Sequence, residues 1–438
     1  MRYTHWILAT VIMLLTIGVN VDAQENTPGR EGSTITGPQD SSNLTIYSRL
    51  QTIGILQNLK DPFRDNTRLY LYLKQARLGA RAFYGDISYD LQLAFGGEEE
   101  VKAPSPGISL SLLDLSANIP LTKSMGVKVG QFKIPYSREN MTDDGFMLFS
   151  DPSIQHLGFK QGRDVGIALH TNSGKFSSLI GVFTGGGRDV PIRYIPLDLG
   201  TPMIVARMGM NNGLDPDMFS MKQASSATNI GYAIFVNALY IKDSKIGHST
   251  ALNVKLADKS LLLNSNWNPF IGKRPLEKNE VWQIGADVAA RLRGKEMGLS
   301  GEAEVNYGSF KNAYGSLSLL GGRVQGAYFT NPLEFALRYA FLRPDEQFGV
   351  KDNTGNLFKI VDRKLIHEIT TSISYYMSGD RVKLTAEFPV YINAPVSTEA
   401  NLGVYPLLQQ PDQTTVIPTG SVGNQTVVEA RLQLQVSF

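Results

Sequence analysis

Long segments in which apolar and polar side chains alternate fix what this 438-residue chain can fold into. In Trp282–Arg293 one face is Trp282, Ile284, Ala286, Val288, Ala290 and Leu292, and the other carries Gln283, Asp287, Arg291 and Arg293. The last segment sets Val428, Ala430, Leu432, Leu434, Val436 and Phe438 against Glu429, Arg431, Gln433 and Gln435. A period of two is the strand pattern. Soluble strands usually run about 5–6 residues, whereas these reach the ~9–11 that a bilayer crossing needs. Their polar faces carry charges that a dry core would not accept unpaired, and their apolar faces end in aromatics such as Trp282, Tyr307, Phe335, Phe341 and Tyr375. Lipid outside and water inside explains this inversion, and it requires closure, because an unpaired strand edge in hydrocarbon costs several kcal/mol per orphan group. The pattern predicts an all-β fold, an antiparallel transmembrane β-barrel over residues 43–438. A large soluble β-sandwich or propeller is the competing reading.

Composition removes other classes. The chain has no Cys, so disulfides, zinc-thiolate sites and iron–sulfur clusters are excluded. With 42 Lys+Arg against 40 Asp+Glu, the net charge of +2 argues against nucleic acid as a partner. The start, MRYTHWILATVIMLLTIGVNVDAQ, has a basic residue, an apolar stretch Trp6–Val19 and small residues at Val21 and Ala23. That is the layout of a signal peptide over residues 1–23, which implies export. Residues 24–42 are polar and rich in Gly and Pro, and read as a flexible leader.

Connections come in two lengths. Arg293-Gly294-Lys295-Glu296, Thr330-Asn331-Pro332 and Ser378-Gly379-Asp380 are tight; Pro135–Gly162, Arg343–Lys364 and Ala394–Asn424 are long. Alternation of the two describes an up-and-down barrel with one short-looped rim. Seventeen segments fit, but both chain ends belong on the periplasmic side, so the count should be even. Asn253–Asn264 is the weakest alternator and is assigned to a loop, which leaves 16 strands, with 18 as the alternative.

Tyr72–Phe95, with its Arg-Leu-Gly step and Tyr-Gly-Asp turn, Val129–Asn140 (VGQFKIPYSREN) and Gly162–Ala168 (GRDVGIA) resemble the phosphate-selective porin O/P family of Gram-negative outer membranes. The last strand ends in Phe438, the terminal residue that outer-membrane assembly machinery reads in such proteins. The resemblance implies a 16-stranded homotrimeric pore in the outer membrane that passes phosphate or other small anions by diffusion, with no cofactor. Family members that prefer phosphate line the pore with an arginine ladder and a central lysine, and no such ladder aligns residue by residue here.

Alternation places Arg77, Arg81, Arg291, Arg293, Arg323, Arg338, Arg381, Lys383 and Arg431 on the inner face, with Asp287, Glu302, Glu304, Glu334, Glu368, Glu387 and Glu429. Rings of Arg or Lys favour anions and rings of Asp or Glu favour cations. The two sets nearly balance, so pairing across the lumen competes with an anion site. Long inserts are often functional, which makes the loop at about 135–162 the expected constriction. Lys133, Arg138, Lys160 and Arg163 flank or lie in it, and Lys133 and Arg163 sit on the family-like motifs. Arg77 and Arg81 share a strand face on which Gly79 leaves space between them. The five His residues show no metal spacing. Two other classes remain: a barrel enzyme, lipase- or protease-like, for which His170 is the tempting inward residue, and a plugged barrel serving as an anchor or secretion accessory.

Overall fold

The computed structural model describes residues 33–36, 42–58, 67–97, 110–185, 187–188, 200–212, 214, 218–223, 230–243, 279–294, 296–312, 315–344, 350–351, 357–358, 365–397 and 422–438. The strands are β1 (Ser33–Thr36), β2 (Ser42–Asn58), β3 (Thr67–Tyr84), β4 (Ile87–Gly97), β5 (Ser111–Pro120), β6 (Met125–Lys133) and β7 (Arg163–Ser173). They continue as β8 (Phe176–Phe183), β9 (Thr201–Asn211), β10 (Ile230–Asp243), β11 (Asn279–Arg293), β12 (Met297–Asn312) and β13 (Gly315–Thr330). The last six are β14 (Leu333–Pro344), β15 (Val350–Lys351), β16 (Leu357–Phe358), β17 (Ile366–Ser378), β18 (Val382–Ser397) and β19 (Val422–Ser437).

Strands β2–β14 and β17–β19 pair antiparallel, each with the next, and β19 pairs with β2 from Val428↔Asn58 to Ser437↔Arg49. The result is a closed 16-strand barrel. At the seam the Ser48 N–H donates to the Phe438 carbonyl at 2.8 Å, so the terminal aromatic is stitched into the wall. Strand β1 pairs with Asn43–Ile46 on the edge of β2 that β19 does not reach. It therefore extends the seam without adding a wall strand, and the leader, expected to be flexible throughout, contains this four-residue strand. The signal-peptide residues and Asn253–Asn264 lie outside the described residues.

The two faces separate as an inverted protein requires. On β11, Ile284, Val288 and Leu292 are 52%, 43% and 62% exposed, while Gln283, Asp287 and Arg291 between them are buried. Exposed Tyr84, Tyr89, Tyr328, Phe335 and Tyr375 flank the tight turns, and Tyr307 lies 5.3 Å, ring to ring, from Trp282 toward the other rim. These are the interfacial belts of a membrane barrel. Val288, opposite Ala303 and Ile234, sits mid-wall. A Val288→Arg variant is expected to lose about 2–4 kcal/mol of folding free energy, the cost of a lipid-facing cation near the midplane; denaturant titration of folding into vesicles measures it, and a loss under about 1 kcal/mol would place this face outside hydrocarbon.

One connection breaks the expected alternation of lengths. Strands β9 and β10 meet at the tight-turn rim, yet residues 212–229 join them. The described part of this connector does not stay at the rim. It runs into the lumen, where Thr142 and Met221 form a parallel bridge.

Candidate pore constriction

The loop between β6 and β7 lies inside the barrel. Ile134, Tyr136, Arg138, Met141, Ile154 and Phe159 are all under 3% exposed. A buried loop must find partners for its backbone groups, and here wall side chains supply them. Glu304 accepts from the Glu139 N–H at 2.9 Å, Glu368 from the Ile154 N–H at 2.6 Å, and Glu387 from the N–H and hydroxyl of Ser150. Lys383 Nζ donates to the Met147 carbonyl at 2.9 Å and Arg338 Nη1 to that of Asp151 at 2.9 Å. A buried charge network adds to this. Arg207 pairs with Asp287 at 2.6 Å, Arg138 lies 3.3 Å from Asp287, and Arg323 meets Glu302, Glu304 and Glu139 at 3.0, 3.3 and 3.4 Å.

The β9–β10 connector reaches the same loop from the opposite mouth. The Asp143 N–H donates to the Met221 carbonyl at 3.0 Å, the Met221 N–H to that of Met141 at 3.1 Å, and the Gln223 N–H to that of Phe146 at 2.9 Å. Arg291 Nη2 holds the Lys222 carbonyl at 2.9 Å.

Between these two inserts and strands β3–β7 a cavity stays open to the bore. Arg77, Lys128, Lys133 and Arg163 line it beside Asp90, Asp114, Asp143, Gln92, Ser116, Phe132, Met141, Phe219 and Ser220. Four basic groups face three carboxylates, one positive charge in excess. Arg163 bonds Asp114 and Gln92, each at 3.0 Å. Arg77 is paired to Asp144, and Lys128 Nζ is 3.9 Å from Asp90. Lys133 Nζ donates to the Thr142 carbonyl at 2.9 Å, and no ion pair joins it to a carboxylate among the described residues.

Local backbone explains why Phe132 and Lys133, adjacent in sequence, both reach this space. Gly130 holds φ at 120° and a Cβ there would lie 2.2 Å from the Leu115 carbonyl oxygen, so only glycine fits. The β5–β6 ladder ends at Leu115↔Gln131, while β6 stays paired to β7 as far as Lys133↔Arg163. The Gly-Gln-Phe-Lys element thus releases the strand from β5 before the loop begins.

The sequence-selected basic residues divide. Lys133, Arg163 and Arg77 line the cavity, and Arg81 stands behind it on Asp90 at 2.9 Å. Arg138, Arg291, Arg323 and Arg338 are buried in contacts that hold the inserted segments, because the loop occupies that side of the lumen. Lys160, at the C-terminal end of the short helix Ile154–Phe159, is not in the cavity lining. The space expected over Gly79 is filled by the Tyr47 ring, which a Cβ would meet at 2.1 Å. Lys128 and Phe219 escaped the sequence reading. Alternation along β6 could have found Lys128; Phe219 lies in a connector with no period. His170 bonds Asn118 Oδ1 at 2.7 Å, and His367 the Tyr339 hydroxyl at 2.8 Å.

The loop's ionisable groups report how tightly it is held. Burial pushes the Glu139 carboxyl up, but Arg323, His156 and Arg338 outweigh it and leave about 2; burial likewise acts on Asp151, where Lys74 and Arg431 prevail, again at about 2. Burial pushes His156 down to about 3, against the pull of Glu139. All three groups therefore bind fewer protons when the loop is docked. For the carboxylates, docking free energy is fully present above their ordinary values of 4.5 and 3.8 and is lost as pH falls toward 2. For His156 the loss begins below 6.5, where the undocked ring would protonate, and continues to about 3. Loop docking should weaken progressively below pH 6.5, most steeply under 4.5. Single-channel current noise against pH measures this, and a flat trace from pH 7 to about 3 refutes it.

The model for "Phosphate-selective porin O and P" matches residues 53–191, which include β6, the inserted loop and most of the cavity wall. Over that segment, about a third of its length, the chain is similar to the phosphate-selective porin O and P family. It is an outer-membrane porin. Solved structures agree on its fold. The anion-selective porin from Comamonas acidovorans superposes with a TM-score of 0.56 at 13% identity, over 91% of this chain and 100% of that one. The outer membrane channel DcaP of Acinetobacter baumannii gives 0.51 at 11% identity, over 92% and 99%. In-vitro folded OmpT, an outer membrane protein of Vibrio cholerae, gives 0.51 at 9%, over 91% and 98%. No curated protein matches the porin in sequence. Fold and family are those of a channel rather than an enzyme.

Proposed function

We propose that this porin conducts small anions by passive diffusion, selecting them at the cavity between the inserted loop and strands β3–β7. The observation that carries the reading is Lys133. It is a cation on the cavity wall, held by a carbonyl and, among the described residues, joined by no ion pair to a carboxylate; Asp144 and Asp143 act on it only from a distance, so part of its charge is left for a passing solute. Arg163 and Arg77 flank it. An anion entering here exchanges part of its hydration for charge-assisted hydrogen bonds. Phosphate is the anion that the family resemblance favours, and it likewise favours a trimer and removal of residues 1–23 on export.

The test is a planar bilayer with a KCl gradient. The zero-current potential should take the sign of chloride, and phosphate added to both sides should reduce chloride current in a saturable way. Cation preference would overturn the selectivity. Two inserts fill much of the lumen, which is the observation that favours a plugged barrel as the second reading; absence of any unitary conductance would establish it.

A further inference from the structure

The cavity has a wall that inorganic phosphate cannot use. Phe132 and Phe219 pack edge to face with ring centroids 5.7 Å apart, and Met141 lies beside them in the lining. Phe219 comes from the β9–β10 connector, the segment that leaves the tight-turn rim to enter the lumen, and His170 stacks edge-on to it at 5.2 Å. Lys128 Nζ stands 4.6 Å from the Phe219 centroid and 5.3 Å from that of Phe132. An aromatic wall in the same lining as Lys133 and Arg163 offers a contact that a hydrated inorganic ion does not use. Apolar surface facing water gains nothing until an apolar solute covers it.

We infer that the cavity is a binding site for small organic anions that join one carboxylate to a flat apolar body, with Lys133 and Arg163 taking the carboxylate and Phe219 the apolar face. Lys128 adds to the arrangement by polarising the Phe219 ring from its own side. Phe219 is then a specificity-determining residue, and the connector that carries it is the second jaw of the constriction. This rests on the anion-channel reading and adds the class of solute.

Benzoate and acetate are suitable probes, since they carry the same charge and differ in the ring. In bilayers holding the full-length porin, chloride current is recorded while either anion is added. Half-block by benzoate is expected at about tenfold lower concentration than by acetate, the effect of partial ring burial. In Phe219→Ala the benzoate-to-acetate ratio should fall to about 1–2, each measured against that variant's own chloride current; in Phe219→Leu, which keeps apolar bulk, it should be intermediate. Equal half-block by both anions in the unmodified porin overturns the inference, and so does a ratio unchanged in both variants. A cation-type zero-current potential in KCl alone would instead strike the anion-channel reading.

Discussion

A porin carrying Lys133→Glu and Arg163→Glu together should prefer cations. The cavity lining holds four basic groups and three carboxylates; the double change leaves two and five. Each unit charge at about 8 Å through water acts on a passing ion by roughly 0.5 kcal/mol. Reversing two charges moves four units, or about 2 kcal/mol for each ion and of opposite sign for cation and anion, so the cation-to-anion permeability ratio changes by about 4 kcal/mol, roughly a thousandfold, before screening. Salt near 0.1 M reduces this, since the Debye length is about 10 Å. The zero-current potential in a KCl gradient should therefore change sign. Lys133→Glu alone, which moves two of the four units, should take it about half of the way. A potential that keeps its sign in the double variant would move the selective step out of this cavity.

Alternation along strands is a strong signal because lipid enforces it from outside and water from inside. It predicted 16 wall strands, and the barrel has 16; Asn253–Asn264, assigned to a loop on parity, lies outside the described residues. It could not say what an inward residue would meet. Arg323 and Arg77 read alike in sequence, yet one is sealed among Glu139, Glu302 and Glu304 and the other lines open space. The difference is made by a loop that folds back from a distant rim, and long-range placement of a loop leaves no local period. The inward acids show the same limit. Read as partners for bases across the lumen, Glu304, Glu368 and Glu387 do pair with Arg323, Arg338 and Arg431, and they also receive backbone N–H groups of the loop. A tight-turn rim was expected between β9 and β10, and the connector there turned inward; its only foreshadowing was a gap between strand segments too long for a turn. Where the family motif carried information, at Gly130–Lys133, it did so through backbone geometry that alternation alone would have misjudged.

The buried network around Arg323 sets the second large effect. Its guanidinium lies within 3.4 Å of three carboxylates, one from the loop and two from β12, and it is fully buried. Replacing it with Met, of similar length, leaves Glu139, Glu302 and Glu304 facing one another, with Arg138 3.6 Å from Glu302 as a remaining counter-charge. Breaking a buried pair from one side costs about 3–5 kcal/mol because the remaining charge is uncompensated. The wall strands are held by their own ladder and by lipid, so that cost should fall on the loop. Arg323→Met should keep a folded barrel, seen as unchanged strand content and resistance to unfolding in detergent at room temperature, while unitary conductance rises and the current grows noisy as the loop leaves its seat. Adding Glu302→Gln and Glu304→Gln removes two of the three stranded charges while preserving groups able to accept from the Glu139 N–H, and should restore much of the original conductance. If Arg323→Met instead conducts like the unmodified protein, the loop is seated by its backbone contacts with Glu368, Glu387 and Lys383 alone, and the network is an ornament of the wall rather than its clasp on the constriction.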